Sequence, residues 1–210
     1  MDRKASELER VLREAVPELK LERREFQNLK ILDELLETWS ACVNLVGFDS
    51  RAERALRYFA EPLVARSWLG SARRALDVGS GGGSPALPLA VVSPQVAWTL
   101  VESRRKKARF LQHAIDALEL EGTVVVADRY ESVRSIGRFD VVTLRGVRVD
   151  AMMRTSLLGE LLPGGRLLWF SGRDRLENAK RDLAGESDFH ATGPRLLVPD
   201  GGWLLVVERV

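Results

Sequence analysis

An apolar run that stops dead in glycines constrains this 210-residue chain more than any other feature. Leu76-Asp77-Val78 is followed by Gly79-Ser80-Gly81-Gly82-Gly83. The apolar residues read as a β-strand. Glycines at 79, 81, 82 and 83 permit positive φ and let backbone N–H groups approach a ligand closely. A helix opening at Pro85 aims its positive end at the same place. Proline is well tolerated in a first helical turn. A strand, a glycine turn and a helix in that order belong to sheets built by strand–helix alternation.

The rest of the chain from Arg73 keeps that alternation. Strands are expected at 75–78, 97–101, 123–126, 139–144, 166–170 and 204–207, with a weaker one at 195–198. Helices are expected at 85–92, 104–120, 151–161 and 174–184. The pattern predicts an α/β fold with a doubly wound, Rossmann-like, mostly parallel sheet. Only Pro199-Asp200-Gly201-Gly202 joins the last two strand candidates, so these should form an antiparallel C-terminal hairpin. Residues 1–70 read differently, as a helical extension packed on a domain of residues 71–210. Ser6, with Glu9 three residues on, is placed to cap a first helix that ends at Pro17. Phe26, Leu29, Leu32, Leu36 and Trp39 keep helical spacing through a second helix at 22–42. A third spans 51–68, with Pro62 as a break or kink.

Composition narrows the function classes. Hydrophobic residues make up 45% and charged residues 30%, as in an ordinary globular protein. The start at residues 1–4 is polar and reads as no signal peptide, and no apolar run approaches a bilayer span. We therefore expect a cytoplasmic protein with no membrane partner. Cys42 is the sole cysteine, which excludes a disulfide framework and a multi-cysteine zinc site. His113 and His190 are too few and too far apart for a metal site and read as structural, so no metal is expected. Net charge is only +2, but residues 71–210 hold 20 basic against 17 acidic side chains while residues 1–70 hold 12 against 13. Arginine greatly outnumbers lysine. That suits planar contacts to phosphates or bases, and equally suits a GC-rich genome. The basic run Arg104-Arg105-Lys106-Lys107, continued by Arg109, reads first as a solvated helix face and second as a phosphate-binding patch. Arg134, Arg138 and Arg148 raise the same question nearer the expected mouth of a site.

Two details tell which ligand the glycine turn takes. A dinucleotide fingerprint wants glycine at its third position, where this chain has Ser84. Asp77 stands two residues before Gly79. A carboxylate there would repel a pyrophosphate and would welcome the cationic amino acid end of S-adenosyl-L-methionine (SAM). Glu102 ends the second strand, where an acidic side chain accepts hydrogen bonds from ribose hydroxyls. Gly81 and Gly83 complete the turn. After the third strand, Tyr130–Glu131 reads first as a helix N-terminus with Glu131 as a favourable first-turn charge, and second as a ligand wall where Tyr130 packs on adenine and the backbone reads its edge. Arg145, just past the fourth strand, reads by itself as a surface arginine and, second, as one that faces the ligand crevice of such sheets. A hairpin at the sheet edge is a habit of SAM-dependent methyltransferases more than of nicotinamide dehydrogenases.

These residues resemble a known family, the GidB-type ribosomal RNA small subunit methyltransferase G, which methylates N7 of a guanine in 16S rRNA. The resemblance lies in the run from Leu76 to Ala90 with both prolines, in Glu102-Ser103, in Lys107-Ala108-Arg109-Phe110-Leu111, in Arg129-Tyr130-Glu131 and in Phe139-Asp140-Val141-Val142-Thr143-Leu144-Arg145. Trp39 and Asn44-Leu45 extend it upstream. The resemblance implies SAM contacts at Gly79, Ser84, Tyr130, Glu131 and Arg145, the ribose role for Glu102, and Arg145 between cofactor and base. It implies 16S rRNA or the small ribosomal subunit as partner, and a monomeric enzyme of rRNA modification. The chain departs from the family at Tyr58, Glu61 and Pro62, where a His and an Asp-Ser pair are usual, and at Ser171, where a lysine is usual. These departures fall on the substrate side.

Guanine N7 is a neutral nitrogen with an exposed lone pair, so it needs no deprotonation to attack a methyl group. Alignment of the reactants is then the main task, and no catalytic base or nucleophilic cysteine is expected. Arg145 is the candidate for orienting the base, which must be splayed from its stack. Two other readings stay open. One is a divergent methyltransferase acting on another RNA or a small molecule. The other is a non-catalytic RNA-binding relative of the same fold.

Overall fold

The computed structural model describes residues 7–45, 47–133 and 137–210. The expected cap Ser6 and the polar start lie outside these residues, as does Arg134. Helix α1 (Glu7–Ala15) buries Leu8, Val11 and Leu12 at the predicted spacing. Helix α2 (Arg23–Ser40) buries Leu29, Leu32 and Leu36 and stops two residues before the predicted end. Its start is held where the Glu22 N–H donates to the Glu25 carboxylate at 2.8 Å.

The third helical stretch is not the single α-helix that the spacing suggests. It runs α3 (Arg51–Arg54), a π-helical turn (Ala55–Ala60), α4 (Glu61–Ala65) and a 3₁₀ turn (Arg66–Leu69). Ser50 caps it, accepting the Glu53 N–H at 3.0 Å. Proline was expected to break the helix at 62. The irregularity falls just upstream instead, and Pro62 sits in the first turn of α4, where its missing N–H costs little.

Among the described residues, seven strands form one sheet. They are β1 (Arg74–Val78), β2 (Ala97–Val101), β3 (Thr123–Val126), β4 (Phe139–Arg145), β5 (Leu161–Ser171), β6 (Phe189–Leu196) and β7 (Trp203–Arg209). The helices between them are α5 (Ala86–Val92), α6 (Arg105–Ala117), α7 (Tyr130–Val133), α8 (Ala151–Gly159) and α9 (Arg173–Asp182). The strand order is β3-β2-β1-β4-β5-β7-β6. The first five strands are parallel, while β7 runs antiparallel to both β5 and β6. The predicted doubly wound sheet with an antiparallel C-terminal hairpin is what forms.

Two strands begin earlier than their sequences suggest. β5 starts at Leu161 rather than 166, and α8 gives way at Gly159. Leu161 pairs with Phe139 and Arg166 with Val141, so a register irregularity absorbs the Pro163-Gly164-Gly165 segment. β6 starts at Phe189 rather than 195, because a second irregularity between Thr192 and Arg195 accommodates Gly193-Pro194. Both proline–glycine pairs look like breakers in a linear reading. β6 lies at the sheet edge, where a proline costs no ladder hydrogen bond.

Strand alternation divides the core into two halves. Leu204 and Val206 join a cluster with Ala75, Val141, Phe170 and the apolar faces of α1, α2, α5 and α6. Leu205 and Val207 join the other, with Leu76, Val142, Leu144, Leu157 and Leu176. The N-terminal helices thus cover one face of the sheet. β1 lies between β2 and β4, so the loops leaving its C-terminal end and that of β4 diverge and open a crevice.

Candidate functional site

A cleft of about 470 Å³ occupies that crevice. The glycine turn lines it from Gly79 to Gly82, together with Ser84, Glu102, Arg104, Lys107 and Arg145. Leu45, Gly47, Phe48 and Tyr58 form the wall contributed by the N-terminal segment. A larger cavity of about 590 Å³ lies at the other edge of the sheet, where Val96 and Thr123 enter β2 and β3. Charged residues such as Glu22, Arg24 and Arg66 line it together with apolar ones such as Val91 and Leu118.

The turn needs glycine for two separate reasons. Gly79 has φ +69, and a Cβ there would stand 2.6 Å from Val147 Cγ2, so its bareness lets the β1 and β4 loops touch. Gly83 has φ +96, and a Cβ there would lie 2.4 Å from Leu87 Cδ1 and 3.0 Å from Tyr58 Oη. Gly81 also has positive φ, at +55. Gly82, expected to behave alike, does not; its carbonyl accepts the Tyr58 hydroxyl at 2.6 Å.

Glu102 is only 6% exposed and grips the turn. One carboxylate oxygen accepts the Gly81 N–H at 2.8 Å, and the other accepts the Arg104 N–H at 2.7 Å. Each oxygen keeps lone-pair capacity for one more donor. Lys107 stands nearby, its Nζ donating to the Leu45 carbonyl at 3.3 Å. Burial lowers the lysine pKa, and the Glu102 charge works against that shift.

Asp77 lies behind the turn and does not line the cleft. It is 1% exposed and accepts the Thr143 hydroxyl at 2.5 Å from its register partner on β4. Its second oxygen, Oδ2, is buried without a hydrogen-bond partner among the described residues. Burial pushes the Asp77 pKa up to about 6; the Thr143 hydrogen bond opposes the shift, and the Glu102 charge adds to it. The folded protein therefore holds a proton between about pH 4 and 6 that the unfolded chain has lost. Stability contributed by protonated Asp77 is full below about pH 4 and is lost as pH rises to about 6. Asp77→Asn removes this dependence. Urea unfolding of both proteins at pH 4 and pH 7 should show the variant gaining up to about 3 kcal/mol relative to the parent at the higher pH. A constant difference between the two pH values contradicts the burial of an ionised Asp77.

Arg145 is tied down on the side of the third helical stretch. Its Nη1 donates to the Arg57 carbonyl at 2.6 Å and lies 3.4 Å from Ser84 Oγ. Its Nη2 donates to the Glu61 carboxylate. The π-helical turn explains why these acceptors exist. The Glu61 N–H bonds back to Leu56, five residues away, so it leaves the Arg57 carbonyl free for Arg145. Pro62 has no N–H for the Tyr58 carbonyl, which takes the Ser84 hydroxyl at 3.0 Å instead. Short π segments of this kind are frequent at functional sites.

The remaining candidates lie elsewhere. Tyr130 packs in the core among Leu157 and Leu158, its hydroxyl 3.2 Å from Ser156 Oγ, so its ring does not line the cleft. Glu131 is exposed in the first turn of α7. His113 rests against Trp39, with ring centroids 5.6 Å apart. In the sequence Glu61 and Tyr58 stand out only as departures from the family pattern. The available signal was an acidic residue beside Pro62 within an otherwise apolar helical face.

The glycine cradle, the carboxylate gripping it and the orphaned buried oxygen behind it fit a nucleoside that carries a cationic end. Comparison with known proteins agrees with this geometry. Residues 25–188 match the family model described as rRNA small subunit methyltransferase G. The chain is 39% identical over 150 residues to ribosomal RNA small subunit methyltransferase G of Chloroflexus aggregans, covering 69% of this chain and 63% of that one. It is 37% identical over 155 residues to the Roseiflexus castenholzii protein of the same name, covering 71% and 66%. The match therefore spans just under two thirds of these relatives' length. The fold resembles the O-methyltransferase TomG of Streptomyces achromogenes, solved in complex with SAM, with a TM-score of 0.61, 18% identity and 91% of each chain covered. With its family signature matched over most of its length and its crevice built from the matching residues, the chain belongs to the rRNA small subunit methyltransferase G (GidB) family.

Proposed function

We propose that the cleft binds SAM and that the chain transfers its methyl group to N7 of a guanine in small-subunit rRNA. The observation that carries the reading is Glu102, held beneath the glycine turn at the switch point with lone pairs left for ribose hydroxyls. Bound there, SAM supplies an electrophilic methyl group on a sulfonium. Asp77 supplies a negative charge behind the turn, on the side suited to the amino acid end. Gly79 and Gly81, which line the cleft, let backbone approach the cofactor.

Guanine N7 attacks without losing a proton, so the cleft needs no base. The titratable side chains lining it are Tyr58, Glu102, Arg104, Lys107 and Arg145, and histidine is absent from that wall among the described residues. Catalysis then rests on alignment, which can supply about 7–11 kcal/mol. Arg145, anchored from behind, offers its remaining N–H donors to the guanine O6. The reading sets the reaction in the cytoplasm. It needs one copy of the chain, since every group named lies on one polypeptide.

The test is methyl transfer from radiolabelled SAM to naked 16S rRNA and to intact small subunits, with the product mapped by mass spectrometry. The expected product is 7-methylguanine at one position. Transfer to another base or to a small molecule favours the second reading, a divergent methyltransferase, which Ser171 in place of the usual lysine supports. SAM binding without turnover on any substrate favours the non-catalytic relative.

A further inference from the structure

Glu61 is the most deeply buried acid near the cleft, 0% exposed, yet it does not line the cleft. Its carboxylate meets three groups. One oxygen accepts from Arg145 Nη2. The other accepts the Gly202 N–H at 2.5 Å and lies 3.8 Å from Arg57 Nη1. Gly201 and Gly202 must be bare for this approach, because a Cβ on either would come within about 3 Å of the carboxylate oxygens. The C-terminal hairpin turn, α4 and β4 therefore meet on one side chain.

The charges around the cleft give this arrangement a purpose. The side chains lining it include three cations, Arg104, Lys107 and Arg145, against one carboxylate, Glu102. Such a wall repels a sulfonium. Asp77 behind the turn and Glu61 behind Arg145 bring the balance to three and three, and Arg57, the further cation near Glu61, is itself paired with Glu53 at 3.1 Å. We propose that Glu61 is a positioning residue that fixes Arg145 and cancels its charge, so that the cleft accepts a cationic cofactor as readily as its neutral demethylated product. The inference rests on the SAM reading above.

SAM and S-adenosylhomocysteine (SAH) differ by one methyl group and one positive charge, so their affinity ratio reports the charge of the wall. Titration calorimetry on the full chain reads both. Glu61→Gln keeps the size of the side chain and removes its charge. It should weaken SAM binding about tenfold while SAH binding changes less than threefold. Raising the salt concentration should recover part of the loss. Glu61→Asp keeps the charge and should hold the SAM:SAH ratio within threefold of the parent. Where Glu61→Gln fails to fold, the double variant Glu61→Gln with Arg145→Gln removes both charges. Its ratio should return to the parent value. Parallel weakening of SAM and SAH, no change in either, an aspartate that behaves like glutamine, or a double variant with a ratio shifted tenfold each overturns the proposal. A parent protein that binds neither SAM nor SAH overturns the cofactor reading itself, a result distinct from any of these.

Discussion

Glu102→Ala is expected to weaken SAM and SAH binding about 100-fold in titration calorimetry. Two effects add. The carboxylate we propose as acceptor of the ribose hydroxyls is gone, and hydrogen bonds to a charged group are worth about 1.5–3 kcal/mol. The Gly81 and Arg104 N–H groups also lose the acceptor that sets the shape of the turn. About 3 kcal/mol in total corresponds to about two orders of magnitude in Kd. Glu102→Gln should fall between, near tenfold, because its amide oxygen still accepts one donor. SAM and SAH should suffer alike, since both carry the same ribose. An unchanged Kd in the alanine variant means that Glu102 neither holds the ribose nor shapes the turn for the cofactor.

Arg145→Ala should be the most destabilising single change at the site. It leaves Glu61, whose side chain is 1% exposed, without its principal counter-charge. Breaking a buried pair from one side costs about 3–5 kcal/mol, because the remaining charge stays desolvated. Arg57 at 3.8 Å is too distant to replace the bond. In a chain of this size the loss corresponds to about 6–20 °C in melting temperature. Adding Glu61→Gln to Arg145→Ala should recover most of it. The exposed pair Arg10–Glu14 on α1 is the control, since surface pairs of that kind contribute little. Arg10→Ala should leave the melting temperature unchanged. If Arg145→Ala melts with the parent, the buried pair does not hold the third helical stretch to the sheet.

Much of the sheet was legible because its signals are local. β2 and β3 keep the bounds that their apolar runs predict, and β1 differs by one residue. Each lies between recognisable helices or turns. The misread elements are those where a breaker sits inside a continuing strand. β6 continues through Gly193-Pro194 only because its pairing with β7 tolerates a register irregularity there, and that tolerance belongs to the pairing. The π-helical turn is a similar case. Nothing in Ala55-Leu56-Arg57-Tyr58-Phe59-Ala60 asks for it by propensity. It persists where Arg145 and Ser84 supply donors for the carbonyls it frees.

Periodicity and glycine spacing determined the alternating fold, the switch-point crevice, the antiparallel ending and the glycine turn that lines the cleft beside Glu102. These follow from backbone freedom and from apolar repeats within a few positions of one another. The tertiary structure alone decided how charge is distributed around the cleft. Glu61 and Arg145 are separated by more than eighty residues, and so are Arg57 and Arg145. Asp77 and Thr143 meet only through strand register. Whether a carboxylate faces solvent, a backbone N–H or a buried guanidinium depends on which elements pack against it, and that information is not carried by its neighbours in the chain.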